Sequence, residues 1–217
     1  MKAAKFTNEA WNRNKKLFDS TAAHPFNREL LDGTLEEEKF RFYCMQDSKF
    51  LGEYAKVFAS AASRSKNPAQ VAYLAKRAVD LAISKDSFHS QFFKDYSIDL
   101  DEFKETEMTP TCHHYASFLH STAQTGSVAV QLAALLPRAL VHHKIGQKAK
   151  ADAQEDNPFY AWIEENGGEE RAEIVGKMLV LVDELAAKET REGVEQMQTA
   201  YETAARLGVD VLGRRLS

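Results

Sequence analysis

Apolar residues recur along this chain with a helical period. Between Phe40 and Phe58 the sequence places Phe40, Tyr43, Cys44, Asp47, Phe50, Leu51, Tyr54 and Phe58 three or four positions apart, the spacing that keeps side chains on one helix face. A single aspartate interrupts this apolar stripe. Strand-like alternation is absent over any useful length, and the prolines fall where helices begin. Asn67-Pro68, Thr109-Pro110 and Asn157-Pro158 each put a capping side chain before a proline, whose missing N–H costs nothing at the first helical position. Thr34-Leu35-Glu36-Glu37 has the form of a capping box, and Gly167-Gly168 separates two further helices. The pattern predicts helices near residues 7–21, 34–63, 68–96, 110–124, 127–150, 158–165, 169–187 and 190–213. Pro137 lies inside the helix expected over 127–150, where a proline removes a hydrogen bond and predicts a kink that turns residue 138. The architecture expected is an all-α helical bundle, without internal repeats or linkers.

With 217 residues, 44% of them apolar, the chain is long enough for one sizeable core, so a single domain over 1–217 is expected. The stretch Met1–Lys16 lacks the apolar core of a secretory signal, and no run approaches the ~20 apolar residues that span a bilayer. Lys and Arg number 28 against 32 Asp and Glu, a net charge of -4 with both signs dispersed, which leaves no electrostatic footprint for nucleic acid or anionic lipid. Small-molecule and protein partners fit better. Two cysteines are too few for a disulfide scaffold and fit a reducing compartment, so the expected location is cytoplasmic.

His24-Pro25-Phe26, Gln46-Asp47, Thr109-Pro110-Thr111, Leu136-Pro137 and Asn157-Pro158, in that order along the chain, resemble the TenA (thiaminase II) family. His24-Pro25-Phe26, Arg28-Glu29-Leu30 and Asp32-Gly33-Thr34-Leu35 are similar to the family's opening, and Gln46-Asp47 to its Gln-Asp signature. Thr109-Pro110-Thr111 with Tyr115, Leu132-Ala133-Ala134-Leu135-Leu136-Pro137, Ile145-Gly146, and Asn157-Pro158 with Trp162-Ile163 follow in the family's order. The resemblance implies the haem-oxygenase-like helical fold and a homo-oligomer, dimer or tetramer. It also implies hydrolysis at the aminomethyl carbon of a 4-aminopyrimidine, in thiamin salvage, without a cofactor. By the same resemblance Asp47 grips the aminopyrimidine edge, Phe50 and Tyr54 contact the ring, Tyr115 orients the reacting group, and Glu202 moves protons. Residues 47, 50 and 54 share one helical face on spacing alone.

Arg138 stands where the family's nucleophilic cysteine follows Leu-Pro, with His142 and Asn166 at two tyrosine positions and Ala205 at a pocket aromatic. A guanidinium is permanently protonated and cannot attack carbon. Two readings of Arg138 stay open: a surface ion pair, or a pocket residue that, with His142, favours an anionic ligand. Three functions are therefore weighed. The first is a hydrolase in which water, activated by Glu202 or Asp47, replaces the thiolate. The second is a non-catalytic paralogue that binds a small anionic molecule. The third is a haem-oxygenase-like iron oxidase. For each site residue an ordinary structural role competes: Tyr115 as core, Asp47 as a stripe-edge carboxylate, and Glu202 as a surface residue near Glu192, Glu195 and Arg206. Cys112, one turn before Tyr115, and Cys44, one turn before Asp47, are weighed as relocated nucleophiles, though a cysteine in a helical core is usually a small hydrophobe. No metal is expected. Only Asp86-Ser87-Phe88-His89 has the shape of a bundle metal motif, adjacent histidines such as His113-His114 and His142-His143 cannot chelate one ion locally, and haem ligation by His24 is the remotest option.

Overall fold

The computed structural model describes residues 5–152 and 156–212, with the side chains of 84–92, 152 and 212 outside the description. Among the described residues there are eleven α-helices and no strand. The chain divides into two compact units, one of residues 36–128 and one formed by the segments before and after them.

The 36–128 unit holds α4 (Glu37–Arg64), α5 (Pro68–Asp95), α6 (Leu100–Glu105) and α7 (Pro110–Thr125). The stripe read from the sequence is its core: Phe40, Tyr43, Cys44, Phe50, Leu51, Tyr54 and Phe58 are all buried on α4. Contacts between α4 and α7 climb together along both helices. The Phe50 ring meets Tyr115, Glu53 meets His120, and the Arg64 guanidinium reaches the carbonyls of Ala123 and Gly126 at the end of α7. The two helices therefore run in the same direction, and Arg64 satisfies carbonyls that the helix end leaves unpaired.

The other unit begins with α1 (Phe6–Arg13), α2 (Lys15–Ala22) and α3 (Pro25–Asp32), and resumes with α8 (Val128–Asp152), α9 (Tyr160–Gly167), α10 (Glu169–Ala186) and α11 (Arg191–Leu212). Asp183 of α10 accepts from both the backbone N–H and the hydroxyl of Thr7, at 2.9 and 3.0 Å, fixing the start of α1. Tyr201 of α11 is fully buried with its ring edge-on to Phe6 and Phe18. Gly33, at φ 71, ends α3 in the left-handed conformation that glycine adopts without strain. Asn157 donates to the carbonyls of Leu30 and Leu31 there, at 3.2 and 2.9 Å.

The major helices match the sequence pattern, and the caps at Asn67 and Thr109 form as expected, accepting from Ala69 N and Cys112 N. Three details differ. The helix expected over 7–21 is two helices, because the chain breaks at Asn14, whose side chain bonds back to the Ala10 carbonyl. The Thr34 capping box does not form: the N–H groups of Thr34 and Leu35 bond back to Glu29 O, and α4 starts only at Glu37. Short helices α3 and α6 were hidden by their length, since one or two turns give too few positions to show a period. Helix α8 continues through Pro137. No helix among the described residues is long and apolar enough to cross a membrane.

Candidate functional site

In the 36–128 unit, Asp47, Phe50 and Tyr54 follow one another along α4, Asp47 half-buried and the two rings buried. The Phe50 and Tyr54 rings lie 5.7 Å apart at 29°, nearly parallel, and Tyr115 packs on Phe50 at 4.9 Å. Tyr54 continues the aromatic surface to Phe58 at 5.1 Å. A carboxylate at the border of flat rings suits a planar heterocycle that donates hydrogen bonds from its edge: the rings take its faces and the carboxylate its N–H groups. Tyr115 is brought to this group by α7, which starts at Pro110 with Thr109 as its cap.

In the other unit, Arg138 and His142 are four residues apart on α8, both half-buried, so they share a face. The His142 ring lies 6.1 Å from that of Trp162 on α9. His143, one position on, is buried and bonds through Nδ1 to the Asn166 carbonyl at 2.9 Å. Asn166 donates its own side-chain amide to Trp162 O at 3.0 Å, one turn back within α9, while its backbone carbonyl ties α9 to α8.

On α11 the structure separates two kinds of residue. Glu202 is exposed, with its carboxylate 3.0 Å from the Arg206 guanidinium one turn on. The buried face of α11 carries Met197, Ala200, Tyr201, Ala204 and Ala205, and Glu202 borders it, three residues before Ala205. Gln198 is buried as well, and neither its amide nor the Tyr201 hydroxyl has a hydrogen-bond partner among the described residues. Burial pushes the Tyr201 hydroxyl well above the usual phenol range, so it stays protonated.

A model of the TENA/THI-4/PQQC family matches residues 11–217. The chain belongs to that family. Among its relatives is an aminopyrimidine aminohydrolase of Bacillus subtilis, 29% identical over 198 residues that cover 91% of this chain and 84% of that protein. Solved structures share the fold: a TenA homologue from P. horikoshii superposes with a TM-score of 0.89 at 23% identity, covering 98% of each chain. A domain with a heme oxygenase-like fold from Shewanella denitrificans superposes at 0.78 with 15% identity, covering 97% of this chain and 91% of that one. The all-α, haem-oxygenase-like fold expected of this TenA-family chain is thus the one observed.

Of the residues that the family resemblance singled out, Asp47, Phe50, Tyr54 and Tyr115 lie in the 36–128 unit, with the Phe50 ring against both tyrosines, and Arg138, His142 and Glu202 lie in the other unit. Glu202 is exposed and pairs with Arg206. Sequence reasoning gave no role to Gln198, whose burial nothing in its type foretells, and read Gln46 only as half of the Gln-Asp signature, although it is buried at 4% exposure beside Asp47. The cysteines sit as small core residues: Cys44 is buried on α4, and the Cys112 thiol lies 3.8 Å from the Gln46 carbonyl. His24 caps α3, its Nδ1 accepting from Phe26 N at 3.2 Å. His113 and His114 are exposed, and His120 pairs with Glu53. The Asp86–His89 motif lies outside the residues whose side chains are described. Among the described residues, no three His, Cys, Asp or Glu side chains gather as a metal site.

Glu53 gives the unit a measurable acid response. Burial raises its pKa, but hydrogen bonds from Lys56 at 2.7 Å and His120 at 2.8 Å more than offset this and hold it below the ordinary value. A carboxyl depressed in the folded state contributes stability that is present above its unfolded pKa, about 4.3, and is lost as pH falls through the lower folded value. Denaturant titrations of the wild type and Glu53→Gln should therefore differ at neutral pH, by no more than about 1 kcal/mol for so accessible a pair, and converge below about pH 3. A difference that persists in acid would show that ionisation of Glu53 is not its source.

Proposed function

We propose that this TenA-family protein is a hydrolase of an aminopyrimidine or related small heterocycle in thiamin-related salvage. The observation that carries the proposal is the Asp47 carboxylate on one face of α4 with the Phe50 and Tyr54 rings, completed by Tyr115. Its relatives named as aminopyrimidine aminohydrolases support the same class of chemistry. With Arg138 at the position of the family's thiolate, the attacking group is water. Two carboxylates are candidates for its base: Asp47, on the ring-bearing face of α4, and Glu202, exposed and paired with Arg206 on α11. Tyr115 orients the reacting carbon. The test is release of ammonia from 4-amino-5-aminomethyl-2-methylpyrimidine by the folded protein. No turnover across a panel of such heterocycles would reject the hydrolase.

A second reading, a binding protein without turnover, is favoured by the exposure of Glu202 and by the Arg138 and His142 face of α8, whose donors suit a carboxylate or phosphate. Thermal-shift measurements with phosphorylated and plain aminopyrimidines separate the two. The binding reading expects stabilisation without product, preference for the anionic ligand, and loss of that preference in Arg138→Ala. Equal shifts for the wild type and Arg138→Ala would leave Arg138 as a structural residue.

We also propose that residues 1–217 form a single TenA-like domain, on the support of one family match over 11–217, and that the protein is a cytoplasmic homo-oligomer. Neither Cys44 nor Cys112 forms a disulfide, as a reducing compartment requires. Val79 and Ile83, one turn apart on α5 and 54% and 58% exposed, offer an apolar strip for a second copy. A single calorimetric transition and a mass above the 24.4 kDa protomer in light scattering are the expected results.

A further inference from the structure

We propose that Gln46 is a positioning residue whose side-chain amide sets the register of α7 against α4, and thereby places Tyr115 against the Asp47–Phe50 face. The inference rests on that face being where the heterocycle is held.

The segment that leads into α7 cannot satisfy its own backbone. Thr109 precedes a proline, which drives it out of the helical region, and it adopts φ -58, ψ 152. Its N–H and the carbonyl of Glu107 thus lie outside any helical ladder and need other partners. Gln46 supplies both. Its Nε2 donates to Glu107 O at 2.9 Å, and its Oε1 accepts from Thr109 N at 2.8 Å. Two bonds from one planar amide to backbone groups two residues apart fix both the height and the rotation of the entering chain, as a neighbouring strand would. One turn into α7, Cys112 rests against the carbonyl of the same Gln46, with its backbone N–H capped by Thr109. The next turn of each helix brings Phe50 to Tyr115 at 4.9 Å. Asp47 and Gln46 are adjacent, so one turn of α4 carries both the proposed gripping carboxylate and the clamp that sets the ring opposite. No other side chain of similar size does this: leucine has no polar atoms, asparagine is one methylene short, and glutamate at neutral pH faces the Glu107 carbonyl with a charge and no donor.

The experiment uses the full chain and two variants, Gln46→Leu and Gln46→Glu, with binding of 4-amino-5-aminomethyl-2-methylpyrimidine measured by calorimetry relative to wild type across acidic to neutral pH. Gln46→Leu should bind about tenfold more weakly at every pH, since small misplacements of a positioned group are costly. Gln46→Glu should be as weak near neutrality and recover toward wild type as the pH falls, because a protonated carboxyl again has one donor and one acceptor. Taking the ratio to wild type removes any titration of Asp47. Without ligand, amide exchange at Thr109 should be about tenfold faster in Gln46→Leu, equivalent to one lost hydrogen bond of ordinary strength, and the NMR contact between Phe50 and Tyr115 rings should weaken. Wild-type affinity in Gln46→Leu despite fast exchange, or a Gln46→Glu defect unchanged by pH, overturns the proposal. If the wild type does not bind the pyrimidine, the functional reading fails, and the Phe50–Tyr115 contact in the two variants still decides the register claim: retention in Gln46→Leu refutes it.

Discussion

Asp47→Asn is expected to weaken binding of 4-amino-5-aminomethyl-2-methylpyrimidine by about a hundredfold. The edge of a 4-aminopyrimidine presents an exocyclic N–H and, when the ring nitrogen is protonated, a second donor beside it. A carboxylate is acceptor-only and can take both; an asparagine amide offers one acceptor and sets its own NH₂ against the other donor. Hydrogen bonds to charged groups are worth about 1.5–3 kcal/mol, and leaving a buried donor unmet adds a desolvation penalty, which together give a loss of this order. Asp47 is suited to the task because the stripe around it, from Tyr43 to Phe58, is buried, so the rings that flank it also exclude water. Calorimetric titration of the wild type and Asp47→Asn checks the prediction, with Asp80→Asn as control. Asp80 pairs with Lys76 and Arg77 on α5 and should leave affinity unchanged. An equal affinity in Asp47→Asn would remove Asp47 from the site.

Gly146→Ala should destabilise the protein by about 2–3 kcal/mol, the cost of overpacking, although alanine normally gains about 0.5–1 kcal/mol over glycine inside a helix. The reversal comes from the crossing of α8 and α9. A Cβ at residue 146 would sit 2.5 Å from the Asn166 carbonyl carbon and 2.5 Å from the Gly167 nitrogen. Both are backbone atoms that cannot rotate away. Nor can the helices part freely, because the Asn166 carbonyl accepts from His143 three residues before Gly146. Gly176→Ala is the matched control. It lies in mid-α10 with nothing within 4 Å of where an added methyl would stand, so it should show the ordinary gain. Urea denaturation of both variants reads the pair of opposite signs. Stabilisation in Gly146→Ala would mean that the helices do not cross this closely in solution.

Particular residues show how far the sequence could be read. The apolar stripe of α4, the caps at Asn67 and Thr109 and the Gly167-Gly168 break all express local preferences, and each appears where it was expected. Thr34 satisfied the capping-box pattern just as well, yet its backbone went to Glu29, because the left-handed turn at Gly33 captured it first. Within the candidate site, Asp47, Phe50 and Tyr54 were legible together from spacing on one helix.

What the sequence determined by itself is what depends on neighbours a few residues away: helical periodicity, the starts and stops of the long helices, and the common face of Asp47, Phe50 and Tyr54. Only the tertiary structure decided that α7 runs alongside α4 in the same direction and seats Tyr115 on Phe50, that Gln46 clamps the entry to α7, and that Gly146 and Gly167 touch. The reason is physical. A side chain's local period fixes which face it occupies, whereas its partner across tens of residues is chosen by the packing and hydrogen-bond satisfaction of the whole unit, which no local pattern encodes.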